Sequence, residues 1–168
     1  MQRNSIAHRR NGTSPAVRRK FYPVPVFRQP APKPQARLVT VPSFVDDQGV
    51  ISVMDWAQCL PFEARRFSYI HEPPRGPRHG GHSHFTDEEA ILAVSGSLIV
   101  TTDDGLMRKD YLLDSPDLAL YIPPMLWHEV HSFSAGALCA CFTSEPYDEE
   151  DYLYDYDRFV EDTRILEQ

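Results

Sequence analysis

Cysteine is scarce in this chain and is not arranged for cross-linking: 168 residues carry only Cys59, Cys139 and Cys141. An odd count without framework spacing excludes a disulfide-stapled scaffold and points to reduced thiols. Cys139 and Cys141, two apart, share one face of a strand and read as buried, inert thiols that pack as small hydrophobes. Long hydrophobic runs are missing too. Without a stretch of about 18 apolar residues there is no membrane-spanning helix. Without a short apolar segment behind a basic start a secretory signal is not expected, and a cytoplasmic protein is. Acidic residues are absent from the first 45 positions, which hold nine Lys or Arg. The remainder holds eight basic residues against all 24 acidic ones, a net −16. So acidic a folded part argues against a nucleic-acid-binding core, and no membrane partner is expected.

Two regions follow from these distributions. Residues 1–37 combine Arg9-Arg10 and Arg18-Arg19-Lys20 with Pro15, Pro23, Pro25, Pro30, Pro32 and Pro34. Proline at that density favours extended polyproline II conformation and opposes helix. Such a segment has too little apolar surface to offset its ordering entropy, so a disordered basic tail is expected. It reads either as an arm that touches an anionic polymer or as an inert extension. Residues 38–168 are then one folded domain, an ordinary length for one.

The domain reads as β. Val50–Met54, Phe67–Ile70, Ala90–Val94, Ser97–Thr101, Leu118–Ile122, Trp127–Phe133 and Ala137–Thr143 are short runs rich in β-branched and aromatic residues. Ser95-Gly96, Asp103-Asp104-Gly105 and Pro123-Pro124 punctuate them as turns. Strands at roughly ten-residue spacing predict a sandwich or barrel. Helical character is confined to about Glu149–Leu166, where Tyr152, Tyr156, Phe159 and Val160 stand at i, i+4, i+7 and i+8.

The segment from Gly76 to Glu89 carries the chemistry. His82 and His84 stand two apart, so in a strand both imidazoles point into the same cavity. The spacing of Gly76, His82, His84, Glu89 and Gly96, followed by Pro123 and His128, resembles the two sequence signatures of the cupins. Met125 stands where the second signature usually has glycine. That resemblance implies an all-β fold: a cupin double-stranded β-helix, or jelly-roll, barrel whose interior holds the site, here with a short C-terminal helix and the N-terminal tail.

A narrower resemblance spans roughly residues 42–160. Leu60-Pro-Phe62, Arg66-Phe-Ser-Tyr69-Ile70, Gly81-His82-Ser-His84, Leu120-Tyr-Ile-Pro-Pro124, Trp127-His128-Glu129 and Tyr147-Asp-Glu-Glu-Asp151-Tyr152 are similar to the WxcM-like family. That family contains the dTDP-sugar 3,4-ketoisomerases, which act on dTDP-4-keto-6-deoxyglucose. The resemblance implies a nucleotide-sugar substrate, a homodimer often with swapped N-terminal strands, no metal requirement and a role in supplying surface-polysaccharide precursors. Its catalytic residues carry over as His82, His84 and Tyr69. Arg66, Arg78, Glu89, Trp127 and His128 carry over as substrate-binding residues, Arg66 as a partner for pyrophosphate and Trp127 as a flat support for sugar or base. Trp127 and His128 also read as plain barrel core, and Arg66 as a surface ion pair. The chemistry suits the residue types. Moving a ketone between C4 and C3 takes a proton from one carbon and returns one to its neighbour through an enediol, and an imidazole serves both transfers.

The chain departs from the family pattern where it has Phe85 for a lysine, Glu89 for a glutamine, Tyr154 for an arginine and Gln48 for an arginine. Fewer cations then face a diphosphate. With Glu89 present, His82, His84, Glu89 and His128 also have the spacing of a three-His, one-Glu site for one divalent transition metal. Besides the isomerase, a metal-dependent cupin enzyme and a non-catalytic sugar-binding cupin therefore remain open readings.

Overall fold

The computed structural model describes residues 33–73, 76 and 78–165. Most of the expected basic tail lies outside the described residues. Its last residues already belong to the domain, because Ala36 packs on the core and Arg37 opens the first strand.

Among the described residues, twelve strands and two short α-helices follow one another: β1 (Arg37–Thr40), β2 (Ser43–Asp46), β3 (Gly49–Ser52), α1 (Trp56–Cys59), β4 (Arg66–His71), β5 (His79–His84), β6 (Glu89–Ser95), β7 (Leu98–Asp103), β8 (Arg108–Leu113), β9 (Leu118–Ile122), β10 (Trp127–His131), β11 (Leu138–Thr143), β12 (Tyr152–Leu153) and α2 (Tyr156–Ile165). They form two five-stranded sheets, in the orders β1-β9-β6-β11-β4 and β12-β5-β10-β7-β8, and the separate hairpin β2-β3. The main core lies between the sheets, with Ile91, Leu120, Ile122 and Cys139 from the first meeting Leu98, Val100, Leu113 and Val130 from the second. This is the barrel expected from the strand spacing and the jelly-roll implied by the cupin resemblance. The expected thiol pair is inside it, with Cys139 and Cys141 Sγ atoms 3.9 Å apart.

Each outer face is covered in part. Cys59, Leu60 and Phe62, from α1 and the segment after it, pack on Val39 and Ala90 of the first sheet. Asp55 caps α1, its side chain accepting from Ala57 N. On the second sheet α2 packs Phe159 against Trp127 and Leu153. The hairpin β2-β3 is different, because every residue in it is exposed, Phe44 and Val45 at 62% and 76%.

The tail end differs from the single helix read from the apolar periodicity. Glu149–Asp151 is a 3₁₀ turn, Tyr152-Leu153 adds to the edge of β5, and the α-helix begins only at Tyr156. Asp155 starts it, its carboxylate accepting from Arg158 N. Leu153 gains burial at 3% exposure as a strand residue, and Tyr152 is turned to the opposite face.

Two backbone positions shape the site end of the barrel. Gly80 has φ +82°, and a Cβ there would stand 3.2 Å from the His128 carbonyl oxygen, so β5 and β10 approach through a glycine beside the irregularity at His128/Glu129. Met125 has φ +58°, the left-handed region that glycine occupies without cost, and its N–H donates to His84 O at 2.7 Å.

Candidate active site

Register alone assembles the site. In the second sheet His82 lies opposite His128 and His84 opposite Tyr152. In the first sheet Thr143 lies opposite both Arg66 and Glu89. Residues directly opposite across a ladder share a face. One sheet therefore presents a row of imidazoles and a phenol, and the other a row of Arg66, Thr143 and Glu89. The segment Phe85–Glu88 carries the chain from one sheet to the other, which places the end of β5 beside the start of β6. Between the rows is a cavity of about 270 Å³ bordered also by Tyr69, Cys141 and Tyr147. That is slightly below the roughly 300–1,000 Å³ of drug-sized ligand pockets, a volume for a sugar ring rather than for a whole nucleoside diphosphate.

His84 is held at both ring nitrogens. Its Nδ1 is 3.0 Å from Asp151 Oδ2, and its Nε2 is 3.2 Å from His82 Nε2. Asp151 is fixed in turn by the Thr86 N–H and hydroxyl, both at 2.7 Å, and by the Asp87 N–H at 3.2 Å. Burial opposes ionisation of Asp151, but these donors and His84 outweigh it and hold its pKa below the usual carboxylate range. An ionised carboxylate at Nδ1 makes that nitrogen the N–H and leaves the Nε2 lone pair facing the cavity.

His128 and Glu89 form a buried pair, Nε2 to Oε2 2.9 Å, with exposures of 2% and 7%. Burial pushes the Glu89 carboxyl up, but the facing imidazoles, His128 above all, bring it down to about 2. Burial pushes His128 down, and the Glu89 carboxylate more than reverses this. His82 receives no such support: burial first, then the charge at His128, lowers it to about 3. His84 is also lowered, mainly by burial. At neutral pH His82 and His84 are therefore uncharged.

Arg66 spans the mouth. Its Nη2 pairs with the buried Asp87 at 2.8 Å, its Nε donates to Thr143 Oγ1 at 2.8 Å, and its Nη1 is buried without a partner. The guanidinium lies over Tyr147 and Tyr152, with the carbon 5.6 and 6.0 Å from the ring centroids. Tyr152 itself packs against His82 and His84, at 4.9 and 4.4 Å between ring centroids.

Of the residues singled out in the sequence, the cavity thus gathers His82, His84, Glu89, His128 and Arg66. Tyr69 borders it but is 58% exposed, its ring packed against Phe67 and His71 rather than against the imidazoles. Trp127 and Arg78 are elsewhere. Trp127 alternates with His128 along β10 and so faces outward, where it is buried against Tyr156 and Phe159. Arg78 pairs with Glu129, whose other carboxylate oxygen is near Trp127 Nε1. Neither Trp127 nor Arg78 therefore lines the cavity: both sit on the side of β10 turned away from it. Asp151, Tyr152 and Tyr147 were not singled out individually. Their signal was the Tyr-Asp-Glu-Glu-Asp-Tyr string, which sequence reading had used only as a resemblance.

The chain is similar to several known proteins. A family model described as FdtA, WxcM-like, C-terminal, matches residues 34–164. The TDP-4-oxo-6-deoxy-alpha-D-glucose-3,4-oxoisomerase of Aneurinibacillus thermoaerophilus is 32% identical over 123 residues, which are 73% of this chain and 88% of that protein. Among solved structures, QdtA, a sugar 3,4-ketoisomerase from Thermoanaerobacterium thermosaccharolyticum in complex with TDP, superposes with a TM-score of 0.75 at 26% identity, covering 77% of this chain and 95% of QdtA. A 3,4-ketoisomerase from Helicobacter canadensis gives 0.74 at 27% identity, covering 77% and 97%.

Proposed function

Because the chain belongs to the FdtA family, WxcM-like, C-terminal, we propose that it is a nucleotide-sugar 3,4-ketoisomerase, acting on a TDP-4-keto-6-deoxyglucose-type substrate. The observation that carries this reading is the oriented imidazole of His84, tied at Nδ1 to Asp151, with its Nε2 beside His82 Nε2 on the wall of a sugar-sized cavity.

His84 Nε2 takes the proton from C3. The electrons of that C–H bond form the C3–C4 double bond, and the C4 carbonyl oxygen takes a proton to give the enediol. Loss of the O3 proton then regenerates a carbonyl at C3, while C4 receives a proton. The imidazolium formed at His84 is stabilised by the Asp151 carboxylate behind it, as in other base-and-orienter pairs. His82, 3.2 Å from His84 Nε2, is placed to serve the oxygens of the enediol. All of these steps use side chains alone, so the leading reading requires no cofactor. The unpartnered Nη1 of Arg66 is a donor for an anionic group at the mouth, where the diphosphate leaves the sugar.

The same reading makes the protein a homodimer. The exposed Phe44, Val45, Val50 and Ile51 of the hairpin form an apolar arm that a second copy would cover. Three buried free thiols fit a reducing cytoplasm, where such sugars are prepared for surface polysaccharides. None of the described helices is long and apolar enough to cross a membrane.

The test is incubation of the purified full chain with dTDP-4-keto-6-deoxyglucose in deuterium oxide, followed by NMR. A 3-keto product carrying deuterium at C4 is expected, with exchange at C3 in the recovered substrate. Their absence, with protein that remains folded, overturns the assignment.

A further inference from the structure

We infer that, given the ketoisomerase activity proposed above, one wall of the cavity handles both carbon-bound protons, so that the transfer is suprafacial and the product has the galacto configuration at C4. His82 and His84 of β5 and His128 of β10 belong to one sheet and line the cavity together. The Nε2 atoms of His82 and His84 are 3.2 Å apart. The centroid of the His82 ring is 4.8 Å from that of His84 and 4.5 Å from that of His128. Tyr152 packs on the same side, against both His82 and His84.

The facing sheet has no comparable group among the described residues. Ile70 and Ile91 carry no transferable proton. Arg66 never gives up its protons and shares them in hydrogen bonds with Asp87 and Thr143. The hydroxyls of Ser68 and Thr143 are far weaker acids than an imidazolium. The Cys141 thiol is turned toward Cys139 Sγ, 3.9 Å away. Glu89 starts from this sheet, but its carboxylate reaches across to His128 Nε2 at 2.9 Å and joins the imidazole side. Tyr69, at the mouth, packs its ring against Phe67 and His71.

Protons leave and return perpendicular to the plane of the enediol. A nitrogen about 3.2 Å above the middle of a C–C bond of about 1.5 Å stands about 3.3 Å from both carbons, within the range of reacting contacts. One imidazole, or the His82–His84 pair, therefore reaches C3 and C4 without movement of the ring. The electron pair of the C3–H bond becomes the C3–C4 double bond while O4 gains a proton. That pair then takes the proton of the imidazolium at C4 as the C3 carbonyl forms, and the proton leaving O3 replaces the one given to O4. In the D-gluco 4-ketone the C3 and C5 hydrogens lie on the same ring face. A proton returned to C4 from the face that lost the C3 hydrogen is cis to H5, and the C4 hydroxyl is axial. The outcome is the same whichever way the sugar enters, because the C3 hydrogen itself selects the face.

The full-length wild-type protein is incubated with dTDP-4-keto-6-deoxyglucose in ordinary water, and the 3-keto product is read by NMR at early conversion. The small H4–H5 coupling of a cis pair is expected. A large diaxial coupling, which marks the gluco product, or a mixture of the two at early conversion overturns the same-face transfer and leaves the ketoisomerase activity standing. In deuterium oxide, recovered substrate that has exchanged at C3 is expected to keep its C3 configuration, and appearance of the C3 epimer overturns the single-wall assignment. Folded protein that forms no 3-keto product removes the proposed function and the same-face transfer with it.

Discussion

His84 Nδ1 and Asp151 Oδ2 stand 3.0 Å apart although 67 residues separate them in the chain. The contact exists because β12 adds to the edge of β5, with Tyr152 opposite His84. It converts one of two adjacent histidines into an oriented base, and it distinguishes their roles where the motif alone does not.

Asp151→Asn tests that distinction. The amide keeps the shape and an acceptor for the Thr86 N–H, but offers His84 no carboxylate. The expected result is a fall in kcat of about 100-fold or more with KM little changed, since the loss falls on the base in the transition state. C3–H exchange into deuterium oxide should fall in parallel. An equal loss in KM alone, or restoration of full exchange by the amide, would assign Asp151 a purely structural role.

Much of this site was legible in the sequence, for a physical reason. Period-two alternation put His82 and His84 on one face, and the resemblance to the cupin signatures supplied Glu89 and His128. The same rule applied one residue off gives the misplacements: Trp127 neighbours His128 and therefore faces α2. Asp151 and Tyr152 were hidden because Tyr152, Tyr156, Phe159 and Val160 fit a helical period that only the cap at Asp155 interrupts. Their placement depends on pairing with β5, a contact local periodicity does not record. Strand β8, Arg108-Lys-Asp-Tyr-Leu-Leu, has polar residues through its exposed first half and gave too weak an apolar alternation to be read.

Arg66 separates substrate capture from chemistry. Arg66→Lys retains a charge for the buried Asp87 but loses the fork that reaches Thr143 and the free Nη1 position together. KM for the nucleotide sugar should rise roughly tenfold, about 1.4 kcal/mol of lost binding, while kcat changes little. Steady-state kinetics with TDP as a competing ligand would check it, and an unchanged KM with unchanged TDP affinity would remove Arg66 from the binding surface.

Met125 isolates backbone strain. Its φ of +58° is costly for any residue with a Cβ. Comparing Met125→Gly with Met125→Ala removes the longer side chain in both. The glycine variant should be the more stable by about 1 kcal/mol, a Tm difference of roughly 3–5 °C. Equal melting temperatures in calorimetry would show that the turn relaxes out of the left-handed region.

Asp103 is expected to set an acid limit on stability. Burial alone would raise its pKa, but Tyr156 OH at 2.7 Å, Arg108 Nε at 2.7 Å and Gly105 N at 2.8 Å all donate to it, and together they hold it below the usual carboxylate value. A carboxyl depressed in the folded state binds its proton more readily when unfolded. Its stabilisation is therefore fully present above the unfolded pKa, about 3.9, and is lost as pH falls through the lower folded value. Asp103→Asn removes the charge that these donors serve and loosens the attachment of Tyr156 in α2 to β7. At pH 7 the variant should be less stable by about 1–2 kcal/mol. The gap should hold down to about pH 4 and close in stronger acid as wild-type Asp103 becomes protonated. Urea unfolding at a series of pH values reads this directly. A gap that stays constant through the acid range would mean that the loss comes from packing of the amide and not from the carboxylate charge.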